Sequence, residues 1–540
     1  MSRLNTLCGR SLVAAWLLWT TACAQTDMLA SESRECFNID DCGGSRVCFL
    51  GACVEPGYSL SEIYAELQPP NSSPWLAQTT PEPLLLSEGF ASLQLQPAVT
   101  VAGRFATEDV LLAGTVWARR DTPIREVTRQ AAVADNRFEL NVVAGTYSLR
   151  FEPQSGETTV RQPPLAMGRR QLSSEARIEI EYPPQRDWLQ VSGDVRWAEP
   201  VNTGITGALV WVTGRGPSGS AWRSSTAQTQ QGRFEVVLPP GAERFDLTIQ
   251  PGNNPEVPEL TVEDVPVAES TESTYELSPV DFGVAPPRAL AAVVQTADTG
   301  APLEGATVTF AGQVGVGERR ADHRVSGSTD AAGRIVGVAT ERVRLLAPGE
   351  YTVTIAPRPS SPYALQTESI QLQKDAPPPE PLTFSLKRKA TLSGTVRSAD
   401  GQPVVDAKIS AKLRGSDVTR ELKTSTGADG SYAIDVAPRR PGFEATYEVW
   451  VEPQRTDGLP RHRELVKMQS GDTQHDIRLH PATFVFGSVQ TPGGEPAADV
   501  LLAFYSLDLG TQAEPLLVGV GQTNSNGEFV VPVPTPRGEL

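Results

Sequence analysis

The sequence predicts an all-β protein, a tandem array of β-sandwich domains behind a small disulfide-bonded module. A unit of roughly 90–100 residues, the size of one small sandwich, recurs five times. The 46 glycines and 45 prolines favour turns and strand edges over helices. Four cysteines lie close together ahead of the repeats. These three observations indicate the fold class.

Two landmarks define the repeat. Each unit begins with an alternating strand that ends in a small residue, and a later polar turn is followed by one large apolar residue. The small residues are Gly103, Gly193, Ala292, Gly394 and Gly487, and the large ones are Phe138, Phe234, Ile335, Tyr432 and Phe529. Repeats of this period indicate an array of similar modules, which usually binds, spaces or tethers.

The N-terminus has the features of an export signal, which we assign to residues 1–22. Arg3 and Arg10 precede an apolar run from Leu12 to Trp19 that is too short to span a bilayer. The sequence Thr20-Thr21-Ala22-Cys23 resembles a bacterial lipobox, in which the cysteine becomes the lipidated first residue. The resemblance implies a lipid anchor at Cys23. Because Ala24 follows rather than aspartate, it also implies the outer membrane. Cleavage after Ala24, which would release a secreted protein, is the alternative.

Residues 23–35 would form a tether, and residues 36–54 a cysteine-rich module. Cys36, Cys42, Cys48 and Cys53 are predicted to form two disulfides, because an exported chain meets an oxidising compartment. Spacing does not choose among the three pairings that four cysteines allow. Zinc binding is the less favoured interpretation, since no histidine lies nearby.

Residues 55–90 are predicted to be an extended spacer because they are rich in proline. Five sandwich repeats then follow, at residues 91–183, 184–279, 280–388, 389–481 and 482–540. Each has about seven short alternating strands with turn signals between them. The segment Leu93–Pro97 has the pattern of a closing strand, although no unit precedes it. It would be a leftover or would pair with the first sandwich.

The fifth repeat is predicted to be incomplete. It runs through Asn526-Gly527 and Phe529, and it then stops where the other repeats begin their last two strands. A sandwich without those strands would expose an unpaired edge. A truncated sequence is the favoured explanation, and strands supplied by a partner chain are the alternative.

These motifs resemble carboxypeptidase regulatory-like domains. The resemblance rests on an early G-x-V strand, a D-G turn such as Asp400-Gly401, a turn such as Thr329–Gly333, and a late strand such as Gly349–Pro357. It covers most of residues 97–540 and implies an Ig-like or prealbumin-like sandwich. Such domains mostly serve as accessory, stabilising or adhesive modules.

The composition argues against several functions. A net charge of −17 argues against nucleic-acid binding, because contacts to phosphate need a basic surface. The sequence has no H-E-x-x-H or G-x-S-x-G motif, and the four histidines show no metal-ligand spacing. We therefore predict no cofactor, no metal site and no enzymatic activity.

Tryptophans are the remaining candidates for binding. Trp197 and Trp222 lie near predicted turns, where exposed rings could stack on sugars. Trp211 and Trp450 lie between valines and are predicted to be core residues. The preferred hypothesis is a non-enzymatic surface lipoprotein with a structural or adhesive array, a membrane partner through its lipid, and a surface polysaccharide or protein as a further partner. The alternatives are a carbohydrate-binding array and a fully secreted binding protein.

Overall fold

The structure is a computed structural model. It describes residues 36, 42, 46–55, 60 and 62–535, apart from 87–88, 108–109, 155–160, 175, 198–201, 217–220, 268–273, 277–279, 282–287, 317–318, 338–341, 374–380, 415–420, 440–444 and 512–513. Strands make up nearly all of the regular secondary structure of the described chain, as predicted. Its described helical elements are the 3-10 turns Gln185–Asp187 and Arg455–Asp457.

The N-terminal part contains a hairpin and four further strands. They are β1 Val47–Phe49, β2 Ala52–Val54, β3 Glu62–Gln68, β4 Gln78–Thr79, β5 Leu84–Leu85 and β6 Phe90–Gln94. Strands β1 and β2 pair only with each other among the described strands. Strands β3 to β6 join the last sandwich.

The first sandwich has a three-stranded sheet, β10-β7-β13, and a four-stranded sheet, β12-β11-β8-β9. Its strands are β7 Ala98–Ala106, β8 Gly114–Asp121, β9 Glu126–Val133, β10 Arg137–Val143, β11 Gly145–Pro153, β12 Leu165–Leu172 and β13 Arg177–Glu181. Buried residues alternate along β7 and β11, which places one face of each sheet in the core.

The second sandwich repeats this plan. Its strands are β14 Leu189–Arg196, β15 Leu209–Arg215, β16 Ala221–Arg223, β17 Ala227–Gln228, β18 Arg233–Leu238, β19 Arg244–Gln250, β20 Leu260–Pro266, β21 Thr274–Glu276 and β22 Val280–Asp281. One sheet has the order β18-β14-β21, with β22 also on β14, and the other has the order β16-β15-β19-β20, with β17 also on β15.

The third sandwich has its widest sheet in the order β27-β26-β25-β29-β30, with the pairs β24-β31 and β23-β28 beside it. Its strands are β23 Arg288–Leu290, β24 Ala292–Thr296, β25 Thr307–Val316, β26 Arg319–Thr329, β27 Ile335–Gly337, β28 Val343–Leu345, β29 Gly349–Ala356, β30 Gln366–Leu372 and β31 Leu382–Leu386.

The fourth sandwich has the sheets β34-β33-β36-β37 and β35-β32-β38, with β39 also on β32. Its strands are β32 Ala390–Arg397, β33 Lys408–Leu413, β34 Glu421–Ser425, β35 Ser431–Val436, β36 Thr446–Glu452, β37 His462–Lys467, β38 Thr473–Gln474 and β39 Ile477–Arg478.

The pairing of strands explains the two sequence landmarks. In the first sandwich Gly103 lies directly opposite Phe138, and in the fifth Gly487 lies opposite Phe529. A Cβ on Gly103 would stand 2.0 Å from the ring of Phe138. In these two sandwiches the small residue is therefore required because the aromatic ring of the neighbouring strand occupies the space above it. In the fourth sandwich a Cβ on Gly394 would instead lie 1.9 Å from the His475 carbonyl oxygen.

The fifth sandwich is complete, and the predicted gap is filled from within the chain. Its own strands are β40 Ala482–Gln490, β41 Leu501–Thr511, β42 Glu514–Gln522 and β43 Glu528–Pro534. Strand β3 pairs antiparallel with β41, and β6 pairs parallel with β40. In the other sandwiches the closing strand likewise runs parallel to the opening strand. The spacer prediction for residues 55–90 is therefore wrong from residue 62 onward.

The five sandwiches form a closed cycle. The fifth is joined to the fourth through the residues between β39 and β40, and to the first through the residues between β6 and β7. Side chains support the junctions: Glu66 pairs with Arg125 of the first sandwich, and Arg455 of the fourth donates to Gln522 at 3.0 Å. One continuous core runs through the second and third sandwiches. The array thus returns to its start.

Candidate functional site

The most distinctive part of the molecule is the seam, which we define as β3 and β6 together with β40 and β41. Ile63, Ala65 and Leu67 of β3 are buried in one core with Leu502 and Phe504 of β41. The apolar side chains alternate along β3, so one face of the strand points into the sandwich. The seam therefore joins the two ends of the described chain through a hydrophobic core.

Polar contacts tie the seam to its neighbours. The Glu66 carboxylate accepts from the Arg125 guanidinium, and the Tyr505 hydroxyl lies 3.4 Å from the other Glu66 oxygen. The backbone N–H of Leu95 donates to the Gln490 carbonyl at 2.8 Å. Glu66 is largely buried, so its carboxylate needs these partners.

The cysteine-rich module packs onto the seam. Disulfides join Cys36 to Cys48 and Cys42 to Cys53, which confirms the predicted disulfide bonding and selects one pairing. Three of the sulfurs lie close enough together to share a metal, but each is bonded to another cysteine and is not a free thiolate ligand. The two disulfides staple a segment too small for a core of its own.

The hairpin is held by both the fourth and the fifth sandwich. Phe49, Leu50 and Ala52 belong to the core of the fifth sandwich. Arg463 of β37 donates to the Leu50 carbonyl at 3.1 Å, and the Phe49 ring meets the His480 ring edge-on at 4.8 Å. The chain that leads back toward Cys23 thus leaves the described structure beside the junction of these two sandwiches. Cys23 and the predicted tether lie outside the described residues.

A cluster of titratable side chains lies on the fourth sandwich. His475 Nε2 is 2.9 Å from Glu464, and His462 Nε2 is 3.5 Å from the other Glu464 oxygen. Burial disfavours the charge on Glu464, but the contacts with the two imidazoles outweigh it and hold its pKa at about 2. The carboxylate raises the pKa of His475. His462 of this cluster is buried, as is His323 of the third sandwich.

The histidine cluster has the character of an ion pair rather than a metal centre. Among the described residues, the possible metal-ligand atoms that lie close enough together are those of Cys36, Cys42 and Cys53, and not those of the histidine cluster. His475 also uses its carbonyl, which accepts from the Tyr432 hydroxyl at 2.7 Å. The cluster therefore contributes pH-dependent stability to the fourth sandwich.

The two tryptophans predicted to bind sugar differ in how deeply they are buried. Trp222 is only 1% exposed, and its ring covers Gly214, so the prediction of an exposed stacking surface is wrong for this residue. Trp197 is partly buried against the core of the second and third sandwiches. A tryptophan near a turn can cover the end of a hydrophobic core or can bind a ligand, and the sequence pattern does not distinguish these two roles.

Other tryptophans stack with arginines. Arg223 lies over Trp211 at 4.5 Å, and Arg461 lies over Trp450 at 5.1 Å. Both rings are half-buried rather than core residues as predicted. Trp450 also packs against the core of the fifth sandwich. These stacks stabilise the outer faces of the sheets and the junction between sandwiches.

A groove of about 700 Å³ lies between the fourth and fifth sandwiches. Lys408, Glu452 and Arg461 line it from the fourth sandwich, and Val520 and Val530 from the fifth. Arg461, which directly precedes β37, pairs with Glu452 at the end of β36. The groove is open and of mixed charge, so it does not single out a ligand class.

Comparisons with known proteins give only distant likenesses. No protein-family model matches the chain, and no curated protein matches it. A streptococcal ancillary pilin is 12% identical, with a TM-score of 0.23 over 54% of this chain and 99% of that one. The Bacillus anthracis TIE protein is 13% identical, with a TM-score of 0.14 over 71% of this chain and 74% of that one. A minor pilin of Streptococcus agalactiae is 13% identical, with a TM-score of 0.21 over 36% and 97%. Likenesses of this size do not define a function.

Proposed function

We propose that this protein is a non-enzymatic lipoprotein of the bacterial cell surface, a closed set of five sandwiches that serves as a structural or adhesive platform at the outer membrane. Cys23 would carry the lipid. The observation that carries the proposal is the seam: the segment that follows the signal and the disulfide module is built into the fifth sandwich. A lipid on Cys23 would therefore hold a closed framework rather than the base of a stalk.

Two further features support this proposal. The disulfides fit an exported protein, because the reducing cytoplasm disfavours structural disulfides. An array of repeated sandwiches with contacts at its junctions suits mechanical support or presentation of a binding surface.

The test is acylation of the full chain in a Gram-negative host. Wild-type protein is compared with Cys23→Ser, and Cys8→Ser serves as the control because that residue lies within the signal. We expect an acylated Cys23 by mass spectrometry of the N-terminal peptide, and loss of membrane sedimentation only in Cys23→Ser. Protease added to intact cells should reach the wild-type sandwiches. An unmodified mature chain beginning at Gln25 would establish the secreted alternative instead.

A further inference from the structure

The outer face of the sheet β43-β40-β6 carries an exposed apolar patch, which we define as Phe90, Phe484, Phe486 and Val530. Their exposed fractions are 61%, 42%, 46% and 55%. Phe486 lies opposite both Phe90 and Val530 in the strand register, so three strands bring these side chains together. The rings of Phe484 and Phe486 are 6.3 Å apart. The patch is thus continuous across the sheet.

The patch is not part of the core of the fifth sandwich. The opposite face of the same strands supplies the core residues Leu93, Val489 and Val531. Strand alternation then points Phe90, Phe486 and Val530 away from that core. Exposed apolar patches of this kind usually mark an interaction surface.

We propose that the patch is a lipid-contacting surface. It would place the fifth sandwich against the membrane in which Cys23 is anchored, with the apolar side chains at the boundary between headgroups and acyl chains. This inference rests on the proposed function, because it takes the membrane anchored at Cys23 as the occupant. The inference is supported by where the disulfide hairpin lies, because the chain runs from this hairpin back to Cys23. Phe49 of the hairpin contacts His480. Phe484 follows His480 by four residues, a span of about 13 Å in an extended chain.

The size and charge of the patch also favour lipid. Since a phenylalanine side chain presents roughly 150–250 Å², the exposed fractions amount to a few hundred Å². A stable protein–protein interface needs about 800 Å² from each partner, so the patch is too small to hold a dimer by itself. Its outward neighbours on the same sheet include Ser92, Ser488 and Gln490, and Glu528 lies at the far end of β43. Across the groove beside Val530, the fourth sandwich contributes charges of both signs, such as Lys408 and Glu452. Because these charges are mixed, attraction to anionic headgroups is not the expected driving force.

The experiment measures binding of the mature full chain carrying Cys23→Ser to phosphatidylcholine vesicles. Without the acyl chain, binding reports the patch alone. We expect sedimentation with the vesicles that does not weaken as salt rises, because no charge attraction is involved. The variant Phe484→Ser/Phe486→Ser should bind at least about tenfold more weakly. Leu111→Ser is the matched control, since Leu111 is the most exposed large apolar residue of the described chain, at 76%, and belongs to the first sandwich.

The results separate this inference from the proposed function. Absence of vesicle binding by the unacylated chain would overturn the lipid surface and leave acylation of Cys23 to its own test. A dimer in sedimentation velocity that the Phe484→Ser/Phe486→Ser variant abolishes would assign the patch to a second copy of the chain instead. Equal loss of binding in Leu111→Ser would also overturn the inference, because general hydrophobicity would then explain it. An unchanged melting temperature of the double variant shows that the fold is intact.

Discussion

Leu93 lies directly opposite Val489 in a parallel strand pair, although the two residues lie near opposite ends of the chain. Both are buried in the core of the fifth sandwich. The segment before the first sandwich is therefore the closing strand of the last one. The described residues form five sandwiches, and the fifth combines β3 and β6 with the strands that follow the fourth sandwich.

Replacing Gly487 should destabilise the seam. A Cβ at this position would lie 2.2 Å from the Ala91 carbonyl and 2.4 Å from the Phe529 ring. Because a backbone atom is in the way, Gly487→Ala should lower the stability of the fifth sandwich by about 1–3 kcal/mol, measured by denaturant unfolding. Gly493→Ala is the control, since its Cβ would meet only Thr491 Oγ1, at 3.7 Å. Equal effects of the two variants would contradict the packing described here.

The pair Glu464–His475 should make stability depend on pH. The pKa of Glu464 falls from 4.5 to about 2, so its contribution is present above pH 4.5 and is lost as the pH falls through 2. The pKa of His475 is raised above 6.5, so its contribution is present below that pH and is lost as the pH rises through the raised value. The stabilisation should therefore be largest between these limits.

The measurement is the melting temperature of wild type and His475→Gln across this pH range. The wild-type advantage should be largest between pH 4.5 and 6.5 and should shrink as the pH rises through the raised pKa of His475. Burial lowers the pKa of His323 to about 4, which changes stability in the opposite direction, but both proteins share that effect. An advantage that does not vary with pH would mean that the pair is not ionised in the folded protein.

The disulfide pairing is checked by peptide mapping of exported, unreduced protein. We expect linked peptides that contain Cys36 with Cys48 and Cys42 with Cys53. Iodoacetamide labelling should leave all four residues unmodified until a reductant is added. Linkage of Cys36 to Cys42, or free thiols in the exported form, would be inconsistent with the structure.

The repeats could be recognised in the sequence because the strands of each sandwich follow one another closely in the chain. Glycine and aspartate mark the turns between these strands. The sequence predicted the glycine and aromatic landmarks without their cause, which is that Gly103 and Phe138 meet across two strands. It also recognised Leu93–Pro97 as a closing strand. The strand that pairs with this segment, β40, was missed because it lies far along the chain. Strand pairing over such a sequence distance leaves no local signal.

One signal could have identified β3. Residues 63–69 alternate apolar and other residues and end in Pro69, as do residues 147–153 and 447–453 in the late strands of other repeats. The prolines of residues 55–90 masked this similarity and favoured an extended spacer. The burial of individual side chains was also not predictable from the sequence. The pattern placed Trp222 near a turn but could not show that its ring covers Gly214.

Limited proteolysis should show that the fifth sandwich needs the N-terminal strands. In the whole protein it should resist trypsin as well as the fourth sandwich does, because β3 and β6 cover its edges. A chain that begins at residue 96 lacks both strands, and its fifth sandwich should be cut first while the fourth stays intact. If the shortened chain kept a resistant fifth sandwich, β3 and β6 would not be needed for its fold.

The most direct test of the closed cycle is a disulfide across β6 and β40. Ser92 lies opposite Ser488 in the parallel pair, so Ser92→Cys/Ser488→Cys in protein carrying Cys23→Ser should oxidise to a monomer with a new internal crosslink. Ser92→Cys/Thr395→Cys is the control, because Thr395 follows Gly394 in the fourth sandwich as Ser488 follows Gly487 in the fifth, and it lies opposite Ser431. Dilute protein, non-reducing electrophoresis and peptide mapping identify the product. A crosslinked monomer in the first variant alone is the predicted result, whereas a crosslinked dimer, or no crosslink, would show that β6 does not complete the fifth sandwich of its own chain.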